Sequence, residues 1–315
     1  MKTLSLISRL VRHTLLALGV LVLGIATPVA ASFTSLAVPQ SIVPPVVSPI
    51  APPPSAQTLA RAPDPPTDDP PASDPSTDHP DLDWAGSRIR AQEGAEPGPR
   101  GADIPAAGLL RGLDVSGHQR RIDWARAAAG GARFAYVKAT EGTGATNPRF
   151  AQQYDGARRA GLIRGAYHFA LPNRSAGRAQ ADFFVAHGGG WSRDGHTLPP
   201  MLDMEYNPYG PACYGLGPAA MADWARSFAT EVHARTGRWP TIYTSTNWWR
   251  LCTGGRADFA GTDPLFLARY ASRSGPLPPR WRSWTFWQFS DAGPLPGDQD
   301  YFYGGPDRLR ALANG

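Results

Sequence analysis

Lysine is almost missing from this chain: among its 31 basic residues only Lys2 and Lys138 are lysines, the rest arginines. The arginines are not gathered into the runs of a nucleic-acid arm, so the bias reads as composition and no nucleic-acid partner is expected. Cysteine is as scarce, with Cys213 and Cys252 alone, too few for a small disulfide-knit scaffold. No group of His, Cys and Asp has metal-ligand spacing and no His-Glu-x-x-His occurs, so neither metal nor cofactor is expected. The Gly-x-Ser-x-Gly elbow of serine hydrolases is absent too. Gly188-Gly189-Gly190 lacks the phosphate-loop pattern and reads as a turn. His168, followed by Phe169 in an apolar run, reads as a core histidine. The apolar run from Leu15 to Ala26 falls short of the ~20 residues a membrane span needs.

That run has a different reading. Lys2, Arg9 and Arg12 precede it and Val29-Ala30-Ala31 follows, the three parts of a secretory signal. Residues 1–31 are therefore expected to direct export, and the chain to work in secreted, cell-wall or periplasmic form without stable membrane insertion after cleavage. An uncleaved anchor is the alternative. From Pro39 to Pro80 there are 14 prolines among Ser, Thr, Ala and Asp, too little apolar surface to offset ordering entropy. Residues 32–107 are expected to be a disordered Pro-rich linker, or a propeptide trimmed after export. This stretch carries 4 Arg against 10 acids, whereas residues 108–315 carry 24 Lys and Arg against 16 acids. A cationic domain is drawn to an anionic polymer such as a bacterial wall or nucleic acid. Two cysteines in an exported chain most simply form one bridge, Cys213–Cys252.

Residues 108–315 are enough for one barrel-sized domain. Apolar, β-rich runs at 112–115, 134–140, 162–169, 200–205, 240–245, 265–270 and 283–290 alternate with helix-like stretches at 122–129, 148–160, 177–186 and 218–236. Such repetition implies an α/β fold with a mostly parallel sheet, open or closed into a barrel. Polar residues collect at the far ends of the strands: Asp114, Lys138 to Glu141, Tyr167-His168, Asp203 with Glu205, Tyr243 with Asn247, Arg269-Tyr270 and Trp287-Gln288. In a parallel barrel those ends share the rim on which chemistry occurs.

The most telling of these is Leu202-Asp203-Met204-Glu205-Tyr206. Side chains two apart on a strand point the same way, with Cα atoms ~6.5–7 Å apart. Two carboxyls so placed can share one glycosidic bond. The bland reading, structural acids paired with arginines, needs a neutralising partner.

With these motifs in view the chain resembles family 25 of the glycoside hydrolases, the Chalaropsis-type lysozymes. The resemblance is carried by Gly112-Leu113-Asp114-Val115-Ser116, Val137 to Gly142, Gly165 to Phe169, Leu202 to Glu205, Tyr243 to Ser245, Leu267 to Tyr270, Trp287 to Ser290 and Gln299-Asp300. It implies a single flattened β/α barrel, incomplete in its last strands, without metal or organic cofactor. It implies hydrolysis of the β-1,4 bond between N-acetylmuramic acid and N-acetylglucosamine in peptidoglycan glycan strands, by a monomer. By position in the motif Glu205 is the proton donor, Asp203 its partner, and Asp114 and Asp300 supporting carboxylates, Asp300 being preferred to Asp298 or Asp291.

Asp203 has three open roles: nucleophile, base, or stabiliser of a ring formed when the substrate's 2-acetamido oxygen attacks. The last, with retention of configuration, suits an N-acetylated sugar. Tyr167, Tyr243 and Asn247 are candidates for binding the acetamido group, and Trp287, Trp248, Trp249 and Tyr209 for the sugar or the acid's surroundings. Two rivals remain: a hydrolase of chitin-like polymers, and a wall-binding barrel that has lost turnover.

Overall fold

The computed structural model describes residues 82–99 and 108–315. The expected signal at 1–31 and the proline-rich stretch to residue 81 lie outside the described residues. The second part forms a closed eight-stranded barrel, as the resemblance implied. Its strands are β1 (Leu109–Val115), β2 (Ala132–Glu141), β4 (Ile163–Phe169), β5 (Met201–Asp203), β6 (Thr241–Thr244), β7 (Leu265–Ala268), β8 (Phe286–Ser290) and β9 (Asp298–Tyr303), with a short β3 (Ala145–Thr146) added outside β2. Seven run parallel from β1 to β8. β9 returns antiparallel to both β8 and β1 and closes the ring.

Aromatic rings fill the interior. Phe134 and Tyr136 of β2 meet Phe286 of β8 at 5.1 and 5.5 Å between centroids, and Phe302 of β9 lies 5.2 Å from Phe286. Glycines make the room: a Cβ on Gly112 would stand 2.3 Å from the Phe134 ring, and one on Gly165 2.4 Å from Tyr136. The opposite faces of β1 and β2 present Leu113, Val115, Ala135 and Val137 to Trp124 of α2 (Trp124–Ala129) and Ala157 of α3 (Phe150–Arg159).

Helices α4 (Gly177–Ala186) and α5 (Pro218–Thr236) occupy the expected spans. Pro218 sits in the first turn of α5, and Gly237, at φ 71°, ends it in the left-handed conformation. Helix α6 (Thr246–Thr253) starts at a Ser245 cap that accepts the Trp248 amide. No helix separates β7 from β8, and α7 (Pro306–Asn314) follows β9, so the repeat is incomplete at its end. The Cys213–Cys252 bridge is present, with 5.3 Å between Cα atoms, and ties the loop after β5 to α6.

One expectation fails within the described residues. The stretch at 82–99 does not behave as a disordered linker: it carries α1 (Ile89–Glu93), and Ala85 and Ile89 are fully buried against the barrel. Its few apolar side chains suffice because Asp83, Gly86 and Glu93 find polar partners on the barrel.

Candidate active site

The parallel strands deliver their last residues to one rim. β5 ends at Asp203, and the chain stays paired beyond it, the Met204 amide donating to the Tyr243 carbonyl at 2.9 Å. That extension carries Glu205 two residues further. Both carboxyls are buried, at 1% exposure each. Burial first, then the charges of Glu205 and Asp114, hold the Asp203 carboxyl well above the usual carboxylate range. Burial likewise pushes Glu205 up to about 8, against the pull of the Gly86 and Arg88 amides. Neither Asp203 oxygen has a hydrogen-bond partner among the described residues.

Asp114 closes β1 on the same rim. Gln288 Nε2 donates to Asp114 Oδ2 and Asp298 Oδ2, 2.9 Å each, and burial lifts Asp114 to about 7. Because β9 runs antiparallel, it reaches the rim at its beginning: Asp298 pairs with Asp114, while Asp300 pairs with Gly112 two pairs deeper. Asp298 is raised by burial and by Asp114, Asp300, Asp291 and Glu205 in turn; Asp300 by burial and then Asp114 alone. Asp298 is therefore the β9 acid level with Asp114 at the rim, and strand direction is the signal the sequence reading did not use.

Tyr167 and Tyr243 reach the rim fully buried, the Tyr243 hydroxyl donating to Gln288 Oε1 at 2.7 Å. Asn247 stands exposed at the start of α6. Trp287 does not join them. Alternation along β8 sends Gln288 inward and Trp287 to the other face, where it meets Trp284 at 5.8 Å and Tyr301 at 6.2 Å. Trp248 and Trp249 are wholly buried in the core. His168 is a core residue, held between Thr140 at 2.8 Å and Gln180 at 2.9 Å and driven by burial down to about 3.

Beside the acids lies a neutralised cluster. Lys138 Nζ donates to Glu141 Oε2 and to Asp83 Oδ2, 2.6 Å each. Tyr209 donates to the other Glu141 oxygen at 2.6 Å.

The profile of the glycosyl hydrolases family 25 matches residues 113–298. This chain belongs to that family. Three similar proteins set the scale of the likeness. The N,O-diacetylmuramidase of Chalaropsis sp is 49% identical over 210 residues, spanning 65% of this chain and all of that protein. Lysozyme M1 of Streptomyces globisporus is 44% identical over 234 residues, 73% of this chain and 80% of that one. Among solved structures, a muramidase from Acremonium alcalophilum shares 54% identity at a TM-score of 0.65, covering 65% of this chain and 99% of its own. In this family 25 hydrolase Asp114, Asp203, Glu205, Asp298 and Asp300 form one electrostatically linked set.

Proposed function

We propose that this family 25 hydrolase is an exported peptidoglycan muramidase, cutting the β-1,4 bond that follows N-acetylmuramic acid. The observation that carries the reading is the adjacent, water-poor pair Asp203 and Glu205, with Glu205 acidity lowered to a pKa of about 8. Two neighbouring carboxyls in a dehydrated site resist carrying two charges, so the pair keeps a proton to give and gains one negative charge to use. By its place in the family motif Glu205 protonates the leaving glycosidic oxygen. Asp203 then stabilises the positive oxazolinium ring formed as the substrate's acetamido oxygen displaces the leaving group, and water, giving its proton to Glu205, opens that ring with a second inversion, so configuration is retained overall. Asp114 and Asp298, linked through Gln288, line the groove beside the pair and, raised by burial, hold further protons there. The relatives, a diacetylmuramidase, a lysozyme and a muramidase by name, support the same substrate.

The test is mass spectrometry of fragments released by the exported chain from purified wall over an extended digestion. New reducing ends at muramic acid are expected. Reducing ends at N-acetylglucosamine, or release from chitin oligomers alone, would overturn the assignment.

A further inference from the structure

Residues 83–93 make hydrogen bonds to the groups that the proposed reaction needs. The Gly86 amide donates to Glu205 Oε1 at 2.6 Å, and the Gly86 carbonyl accepts from the Tyr270 hydroxyl at 3.0 Å. Gln288 donates to the Ala85 carbonyl at 2.9 Å, and the Ala85 amide donates to the Tyr167 hydroxyl at 3.4 Å. Glu93 Oε1 accepts from Tyr206 at 3.0 Å and from Ser245, while its Oε2 accepts from Asn247 at 3.0 Å. Asp83 completes the Lys138 cluster, and against its own burial His118 and Lys138 hold its carboxyl below the usual range.

We infer that residues 82–99 are the built-in occupant of the catalytic groove and keep the hydrolase latent until they are displaced; the inference rests on the muramidase reading above. A backbone amide 2.6 Å from the donor oxygen leaves no room for a glycosidic oxygen there. The Glu93 carboxylate takes Asn247, a donor suited to an N-acetyl group. The fit is close. Gly86 has φ +95°, and a Cβ on it would stand 2.3 Å from the Tyr270 hydroxyl, 2.5 Å from Gln288 Oε1 and 2.8 Å from the Tyr243 hydroxyl. Ala85 and Ile89 are buried, Arg90 pairs with Asp291, and the Glu96 amide donates to the Tyr270 carbonyl at 2.9 Å. Covalent attachment raises the effective concentration of such a segment to about millimolar, so modest intrinsic affinity keeps the groove filled.

The experiment compares the exported chain with Gly86→Val and Glu93→Ala in two measurements. One is the initial rate of reducing-end release from purified wall; the other is binding of a fluorescein-labelled 82–99 peptide. Gly86→Val should lyse at least about tenfold faster, because it raises the open fraction, and should take up peptide that the parent refuses. Glu93→Ala, which leaves the backbone conformation alone, should shift both readouts the same way by less. Equal lysis rates, with the parent binding peptide as readily as the variants, overturn the inference. If no form lyses wall but only the variants bind peptide, the occupant stands and the muramidase reading falls. If no form lyses and all bind alike, both fall.

Discussion

Two sets of buried acids share this rim, and they differ in what neutralises them. Asp83 and Glu141 meet the ammonium of Lys138 at 2.6 Å; Asp83 and Lys138 keep their charges against burial, while burial pushes Glu141 upward against the pull of Lys138. Asp114, Asp203, Glu205, Asp298 and Asp300 have neighbours that are mostly one another, and all five are pushed upward. The first set holds structure together. The second is costly to the fold and holds protons that chemistry can spend. The distance between them is one strand-to-strand step, since Lys138 lies on β2 between β1 with Asp114 and β4 with Tyr167.

The sharpest way to break the comparison is Glu205→Gln. It should lower wall lysis by roughly 10²–10⁴-fold, the usual contribution of a general acid, with the fold intact by circular dichroism; undiminished lysis removes Glu205 from the donor role. Asp203→Asn should also slow lysis by orders of magnitude, and a loss under about tenfold denies it a direct role. Lys138→Met attacks the other set. It strands Glu141 in the interior and should destabilise the fold by about 3–5 kcal/mol in denaturant titration; a change under about 1 kcal/mol would mean that the ammonium neutralises nothing.

The smallest effect is on pH. Glu205 at about 8 and Asp114 at about 7 hold protons in the folded state that the unfolded chain has released. Their stabilising contribution is complete below the ordinary carboxylate range and is lost as pH rises through about 7 and 8. The melting temperature should therefore fall between about pH 5 and 8, less steeply in Glu205→Gln. A flat profile would mean that the acids are ionised throughout.

Much of this was legible in the sequence where strand and helix alternate. α4 spans the stretch its mixed apolar spacing marks, α5 begins at Pro218 and ends at Gly237 as that punctuation dictates, and Asp114, Tyr167, Asp203 and Tyr243 fall at strand ends. Legibility failed where the repeat ends. β9 opens with Asp298-Gln299-Asp300 and has no apolar alternation to announce it, so its direction, and with it the position of Asp298 level with Asp114, was hidden. Trp287 was misplaced by one residue of alternation, which changes the face of the sheet. The 82–99 segment was illegible because Asp83, Arg90 and Glu93 are too sparse to form a pattern and the contacts at Ala85 and Gly86 run through backbone amides and carbonyls, which no side-chain pattern records.

The antiparallel return of β9 has a consequence for how the ring holds shut. A parallel barrel closes between two ordinary neighbours, whereas here the closing ladder sets Asp298 directly across from Asp114 and puts Asp300 two pairs below, across from Gly112. Facing like charges weaken a ladder by roughly 0.2–1 kcal/mol. The β1–β9 junction is thus a seam whose strength rests on protons: it is tightest in acid and weakens as Asp114 and Asp298 lose theirs.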